Sequence, residues 1–158
     1  MTGGGHIGLM GVLADAALAA GGRVVGVIPD ALRAKELAHT GLTELHVVGS
    51  MHQRKALMAD LADGFAALPG GFGTADELFE ILTWAQLGIH AKPVGLLNGS
   101  GYFDSLLAWL DRAVADGFLP ASQRSILQVA DEPEELLARL KSFCPQELPP
   151  KWVEAGER

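Results

Sequence analysis

Cysteine is almost absent from this chain, which has one, Cys144, among 158 residues. A single cysteine cannot form an internal disulfide, nor can it supply the thiol pair of a structural zinc site. Aromatic residues are also few, at 6%, but 49% of the residues are hydrophobic, which is enough for a packed core. The sequence therefore predicts one domain over residues 1–144 without a metal ion, followed by a loose, proline-containing tail over residues 145–158.

Basic residues and long apolar runs are scarce as well. The chain has 12 lysines and arginines against 19 acidic residues, for a formal net charge of -7. Such a charge gives no general attraction to nucleic acid or to an anionic membrane. No apolar run approaches the roughly 20 residues that cross a bilayer, and the first residues lack the pattern of a secretory signal. We therefore expect a cytoplasmic protein that holds any anionic ligand in a local site.

Short β-branched runs alternate along the chain with segments of helical periodicity. Strands are predicted at 23–28, 45–48, 64–68, 93–97 and 126–129. Helices are predicted at 9–20, 50–63, 74–87, 102–117 and 133–143, with a short helix or ordered loop at 31–38. This alternation is typical of parallel βαβ units joined by right-handed crossovers. The predicted fold class is α/β, a Rossmann-like parallel sheet with helices on both faces.

Residues 69–74 (Pro-Gly-Gly-Phe-Gly-Thr), here called the glycine loop, lie between a predicted strand and a predicted helix. Ligands of open α/β sheets bind at such places. We interpret the loop as a phosphate cradle, in which glycines adopt dihedrals closed to other residues and several N–H groups point at one phosphate. Thr74 adds a hydroxyl, and the helix dipole adds partial positive charge. The alternative is an ordinary turn in which Thr74 and Glu77 form a capping box.

Two cations, Arg54 and Lys55, fall within the apolar stripe of the helix predicted to begin at Ser50. Their stems could pack on the protein while their charged heads reach water. Alternatively, they bind an anionic substrate, since arginine offers a planar fork suited to phosphate. The spacing alone leaves both interpretations open. The stripe consists of Met51, Met58 and Leu61.

A second glycine pattern, Gly3-x-Gly5-x-x-Gly8, matches the dinucleotide-binding fingerprint. Asp30, at the end of the next predicted strand, would then be the acid that binds the ribose. This pattern is the best argument for a nicotinamide or flavin enzyme. It is a weak one, because the motif should follow a strand and only two residues precede it.

Several blocks together resemble the LOG (Lonely Guy) family, cytokinin riboside 5′-monophosphate phosphoribohydrolases. The resemblance covers residues 3 to about 140, and the pairing of Met-His-x-Arg-Lys with Pro-Gly-Gly-x-Gly-Thr-x-x-Glu is highly specific. The blocks are GGGHIGLMG at 3–11, GVIP at 26–29, MHQRK at 51–55, PGGFGTADE at 69–77, TWAQLG at 83–88 and KPVGLLN at 92–98.

The resemblance implies that Arg54 and Glu77 are catalytic. It implies hydrolysis of the N-glycosidic bond of an adenosine 5′-monophosphate, often N6-prenylated, with release of an adenine-type base and ribose 5-phosphate. It also implies a homodimer that needs no cofactor. The implied substrate-binding residues are Glu36, Lys55, Gly70, Gly71, Phe72, Gly73, Thr74, Ala75, Asp76 and Thr83.

Two other functions are alternatives to nucleotide hydrolysis. Similar Rossmann-like folds serve as carriers of a nucleotide or cofactor, and a glycine loop suits a carrier as well as an enzyme. Members of the family are also often labelled lysine decarboxylases. That chemistry needs pyridoxal phosphate on a Schiff-base lysine, normally in a much larger fold, and the sequence does not favour it.

The beginning of the chain departs from the family pattern. Family members carry a strand, a Gly-Ser-Ser loop, a helix and a second strand before the Gly-Gly-Gly turn, whereas here only Met1 and Thr2 precede it. A βαβ unit takes roughly 30 or more residues. We therefore expect a fold that lacks the family's first strand-helix-strand.

Overall fold

Two compact units, Met1–Ala62 and Asp63–Arg158, make up the chain in a computed structural model that describes residues 1–33 and 37–145. Each unit contains parallel strands with helices packed around them. The predicted α/β class is therefore confirmed. No helix within the described ranges is long and apolar enough to cross a membrane.

The described part of the first unit contains a two-stranded parallel sheet and three helices. Strand β1 pairs with β2 so that Val25 lies opposite Glu44, and Thr2 forms a parallel bridge to Gly26 on β1. This bridge leads the chain directly into the Gly3-Gly4-Gly5 turn. The elements are α1 Gly8–Ala19, β1 Val25–Pro29, α2 Asp30–Arg33, β2 Glu44–Val48 and α3 Met51–Leu61.

Local sequence signals account for the helix ends in this unit. Helix α1 stops at a left-handed Gly21 with φ 77°, and the Gly21 N–H donates to the Leu18 carbonyl at 2.9 Å. This is the glycine stop that the sequence predicts, since glycine adopts positive φ without steric cost. At the start of α3, Ser50 Oγ accepts a hydrogen bond from the Gln53 N–H at 3.2 Å. The predicted cap at Ser50 is confirmed.

The second unit is a three-stranded parallel sheet in the order β3-β4-β5. The central strand β4 is the most buried, with Val94 and Leu96 at 1% and 0% exposure. Helix α7 packs on it, and a Cβ atom at Gly95 would lie 2.7 Å from a methyl group of Leu136. The elements are β3 Phe65–Ala67, α4 Phe72–Gln86, β4 Val94–Leu97, α5 Asp104–Ala115, α6 Ala121–Arg124, β5 Leu127–Ala130 and α7 Pro133–Ser142.

The sequence predicts β1 to β5 to within a few residues, but it misses the one-turn helix α6. Four residues are too few to show a helical period, which explains the omission. Residues 146–158, most of the predicted tail, lie outside the described residues. The single domain over residues 1–144 stays a prediction.

Candidate functional site

The glycine loop follows strand β3 and runs into α4, as predicted, but the helix begins earlier than expected. Its first residue is Phe72 and its N-cap is Gly71, and no side chain among the described residues caps it. Thr74 is therefore the third residue of the helix. A capping box would require Thr74 at the N-cap position, so that alternative for Thr74 and Glu77 is wrong.

The glycines of this loop provide space, and only one of them is closely packed. A Cβ atom at Gly70 would lie 2.1 Å from Thr74 Oγ1, so the threonine hydroxyl occupies the side of the loop where a side chain would stand. At Gly71 or Gly73, an added Cβ atom would meet nothing within 4 Å among the described residues. None of the three has positive φ. The three glycines are therefore not in the left-handed region, and the space that a ligand needs to approach the backbone is present at Gly71 and Gly73.

The backbone at the start of α4 suits an anion. The Ala75 N–H makes the first intrahelical bond, to the Gly71 carbonyl at 3.1 Å. The N–H groups of the three preceding helical residues, 72–74, have no intrahelical acceptor by the geometry of an α-helix. They carry the positive end of the helix dipole. Because an added Cβ atom at Gly71 or Gly73 meets open space, a phosphate oxygen can approach this backbone closely.

Glu77 lies three residues after Thr74 on α4, and its side chain is half-buried. Residues three apart on a helix share a face, so the Glu77 carboxylate is on the Thr74 side, about one turn further along. Glu80 follows at the same spacing, with one carboxylate oxygen buried. Thr74 and Glu77 are therefore neighbours on α4, as are Glu77 and Glu80.

Other residues implied by the resemblance occupy different positions around α4. Phe72 is 97% exposed, and Ala75 and Asp76 are exposed beside it. Thr83 lies roughly 14 Å along the helix from Thr74, at 1.5 Å per residue. Its hydroxyl donates to the Phe79 carbonyl at 2.7 Å. The structure does not bring Thr83 to the glycine loop, and Thr83 remains a prediction.

In the first unit, Arg54 is the most buried polar side chain of α3, at 8% exposure. Its Nε donates to the Val27 carbonyl of β1 at 3.1 Å. The interpretation in which the charged head reaches water is therefore wrong for Arg54. Conversely, Met51 and Leu61 of the predicted apolar stripe are 42% and 47% exposed. The predicted stripe is therefore only partly buried, and Arg54 within it is bonded to β1.

Gly3 lies directly against the Arg54 guanidinium. A Cβ atom at Gly3 would be 1.9 Å from Nη2 and 3.0 Å from Cζ, so a side chain there would displace the arginine. The turn continues through Gly4, which has φ 74°. The first glycine of the dinucleotide-like pattern therefore makes room for Arg54. Asp30, the acid of that pattern, accepts a hydrogen bond from the exposed Arg33 at 2.7 Å.

Two further residues implied by the resemblance, Lys55 and Glu36, belong to the first part of the chain. Lys55 is half-buried on α3, next to Arg54 in sequence. Glu36 lies outside the described residues, so its predicted role in substrate binding stays a prediction. His52, three residues before Lys55 on α3, is exposed.

Sequence reasoning missed Tyr102, whose hydroxyl donates to the Gly70 carbonyl at 2.8 Å. Tyr102 lies in the loop between β4 and α5, and β4 pairs with the strand that precedes the glycine loop. Loops at the carboxyl ends of neighbouring parallel strands are close in space. That adjacency, with a polar aromatic residue in the second loop, is the signal that could have found it.

Comparisons with known proteins agree on one family. A family model described as possible lysine decarboxylase matches residues 10–140. A cytokinin riboside 5′-monophosphate phosphoribohydrolase from Rhodococcoides fascians is 55% identical over 141 residues, which cover 89% of this chain and 71% of that protein. An enzyme of the same name from Arabidopsis thaliana is 49% identical over 144 residues, covering 91% of this chain and 68% of that protein.

A third relative, from Oryza sativa subsp. japonica, is named a probable cytokinin riboside 5′-monophosphate phosphoribohydrolase. It is 53% identical over 143 residues, covering 90% of this chain. The aligned part spans 63% of that rice protein and 58% of a second rice relative. The chain therefore corresponds to somewhat less than two thirds of these two curated relatives.

Proposed function

Because the chain belongs to the LOG family of phosphoribohydrolases, we propose that it hydrolyses the N-glycosidic bond of an N6-modified adenosine 5′-monophosphate. The products would be an adenine-type base and ribose 5-phosphate. The observation that carries this proposal is the start of α4, where backbone N–H groups at the helix N-terminus adjoin open space beside Gly71 and Gly73. A 5′-phosphate is an anion of suitable size and charge for this backbone.

The proposed reaction passes through an oxocarbenium-like state at the anomeric carbon of the ribose. The bond from this carbon to the base nitrogen breaks, a bond to a water oxygen forms, and the departing base gains a proton. Positive charge develops on the ribose during this step. A carboxylate near the sugar stabilises that charge, and we assign this part to Glu77.

Glu77 suits this part because of its place on α4. It lies about one helical turn beyond Thr74, so a nucleotide whose phosphate contacts the helix start would have its ribose near the Glu77 carboxylate. The carboxylate would also accept hydrogen bonds from ribose hydroxyls and so fix the sugar. In this assignment, residues 70–76 bind the substrate.

We assign the second catalytic part to Arg54, which would orient the phosphate or assist the leaving base. Its hydrogen bond to Val27 and its contact with Gly3 hold the guanidinium in one orientation. A planar cation held in this way stabilises negative charge with little reorganisation. Lys55, Glu36 and Thr83 complete the proposed substrate-binding residues.

The decarboxylase label of the family model does not enter this proposal. Amino-acid decarboxylation is the chemistry of pyridoxal phosphate, and it requires a lysine that forms a Schiff base. The relatives above are instead named for hydrolysis of a nucleotide. The proposed reaction uses water, and its catalytic groups are side chains of the chain itself.

The test is release of free base. The protein is incubated with AMP, with isopentenyladenosine 5′-monophosphate and with isopentenyladenosine, and the products are separated by chromatography. We expect base from the N6-modified monophosphate and much less from the nucleoside, which lacks the phosphate that the loop would hold. Binding of the monophosphates with no base released would reject the hydrolase and favour a nucleotide carrier.

A cytoplasmic homodimer is also part of the proposal. Its support is the acidic, cysteine-poor composition and an exposed apolar face on α1, where Leu9, Val12 and Leu13 are 46% to 63% exposed. Apolar groups of this kind often mark a protein interface. Light scattering should give about twice the chain mass of 16.6 kDa, and Val12→Glu should lower it. A mass of one chain for the unaltered protein would reject the dimer.

A further inference from the structure

The loop between β4 and α5, residues 98–103, reaches back to the glycine loop through one side chain. Tyr102 donates its hydroxyl hydrogen to the Gly70 carbonyl at 2.8 Å, although the residue is more than half exposed. We infer that Tyr102 is a positioning residue for the glycine loop and thereby for the phosphate of the substrate. This inference rests on the proposed function, because it gives the loop the part of a phosphate cradle.

The peptide plane explains how one hydrogen bond at Gly70 affects a ligand. The Gly70 carbonyl and the Gly71 N–H belong to the same planar peptide group, which is trans, and the two bonds point in opposite directions. When Tyr102 holds the carbonyl oxygen, it also fixes the direction of the Gly71 N–H, away from the tyrosine. Beside Gly71, an added Cβ atom meets nothing within 4 Å among the described residues. The direction of the Gly71 N–H is therefore fixed, and the loop that carries it has room for a ligand.

The loop that carries Tyr102 is itself firmly held. The buried Asn98 accepts from the Phe103 N–H through Oδ1 at 2.7 Å and donates to Asp104 through Nδ2 at 2.7 Å. Its backbone carbonyl accepts from the Gly101 N–H at 2.7 Å. The Tyr102 ring also packs edge-on against the Phe103 ring, with 5.0 Å between the ring centroids. Tyr102 thus transmits the fixed geometry of the β4 end to the glycine loop.

Core packing is a poor explanation for this contact. Tyr102 is 56% exposed, so it contributes little to the core, and its hydroxyl is hydrogen-bonded to the glycine loop. A phenylalanine would keep the contact with Phe103 and lose only the hydrogen bond. The hydroxyl can therefore be removed with a small effect on folding.

The experiment measures AMP and adenosine binding by calorimetry for the unaltered chain and for Tyr102→Phe. Ser125→Ala is the matched control, because Ser125 Oγ also donates to a backbone carbonyl, that of Ser122, at 2.8 Å in the same unit. We expect Tyr102→Phe to weaken AMP binding about fivefold, the effect of one ordinary hydrogen bond. Adenosine binding should stay the same, and Ser125→Ala should bind AMP as the unaltered chain does.

The outcomes separate this inference from the proposed reaction. If the unaltered chain binds AMP but releases no base, the hydrolase is rejected, and the AMP affinity of Tyr102→Phe still decides the role of Tyr102. The positioning role is overturned if Tyr102→Phe binds AMP normally, or if it loses AMP and adenosine affinity equally. It is also overturned if the unaltered chain binds no AMP.

Discussion

Arg54 and the glycine loop differ most in the space around them. The guanidinium of Arg54 is buried, hydrogen-bonded to Val27 and pressed against Gly3, so a single added carbon atom would displace it. At Gly71 and Gly73, by contrast, the same added carbon would meet open space in the described structure. One region holds a charged group in place, and the other leaves its backbone accessible. Substitutions at each should therefore separate effects on folding from effects on ligand binding.

The largest effect is expected when the charged groups themselves are removed. Arg54→Ala and Glu77→Ala should each lower turnover at least about 100-fold, the scale of losing one acid-base or electrostatic group. Base release under saturating substrate measures it. Arg139→Ala and Glu135→Ala, which remove an exposed pair on α7, are the controls. Near-normal turnover in Arg54→Ala or Glu77→Ala would show that the role assigned to that residue is wrong.

Crowding Arg54 should have a smaller effect than deleting it. Gly3→Ala pushes the guanidinium aside, and we expect turnover to fall about 10- to 100-fold, as a misplaced catalytic group costs. Gly5→Ala is the control in the same turn, because its nearest new contact is the flexible end of Met10 at 3.3 Å. Equal rates in the two variants would mean that Gly3 does not govern the position of Arg54.

The glycine loop allows a more selective substitution. Gly73→Ala places a methyl group in open space within a helix, so the free energy of unfolding should stay the same or rise by up to about 1 kcal/mol. The affinity for AMP should fall about tenfold, because the methyl group keeps the phosphate from the backbone. Gly70→Ala collides with Thr74 and should also destabilise the fold by about 1–3 kcal/mol. Urea unfolding and calorimetry measure the two quantities. Normal AMP affinity in Gly73→Ala would remove the case for a cradle there.

The smallest expected effect is on the pH dependence of stability, and it comes from His90, which lies outside both regions. His90 Nε2–H donates to the Ile81 carbonyl at 3.0 Å, and its Nδ1 accepts from the Lys92 N–H at 3.1 Å. Burial lowers the pKa of His90 below 6.5, and the charge of Lys92 lowers it further, although the Ile81 hydrogen bond raises it. The unfolded chain then takes up the proton more readily. The stability from neutral His90 is therefore present above pH 6.5 and is lost as the pH falls through the lower, folded pKa.

Urea unfolding of the unaltered chain and of His90→Gln at about pH 7.5 and about pH 5 measures the contribution of His90 to stability. The two pH values lie on either side of an ordinary histidine pKa. The glutamine amide can keep the bond to Ile81 but does not titrate. We expect the unaltered chain to lose more stability between the two pH values than the variant does. An equal loss would show that His90 does not contribute to the pH dependence.

The fold was largely predictable from the sequence because its signals are local. The Gly21 stop, the Ser50 cap and the β-branched run of β1 each act within a few residues, and all three are confirmed. The start of helix α4 was harder to predict, because Gly71 and Thr74 are both acceptable N-cap residues and the choice between them depends on packing around the loop. Its true start at Phe72 leaves Thr74 inside the first turn.

The candidate site was predictable only in part, since its key contacts join distant segments. Arg54 was singled out by its place in an apolar stripe, but its partner Val27 is 27 residues away and Gly3 is further still. Tyr102 lies 32 residues from Gly70 and has no helical or strand period to mark it. Such contacts follow from the register of the sheets, which a pattern within one segment does not contain.

The central claim, that the glycine loop holds the phosphate of a nucleotide, is tested most directly by the backbone amide resonances of residues 71–74. AMP and adenosine are titrated separately into the labelled protein. We predict large shifts at these four amides with AMP and small ones with adenosine, while the amides of α7 change little. Shifts absent from residues 71–74, or equal for AMP and adenosine, would contradict the claim.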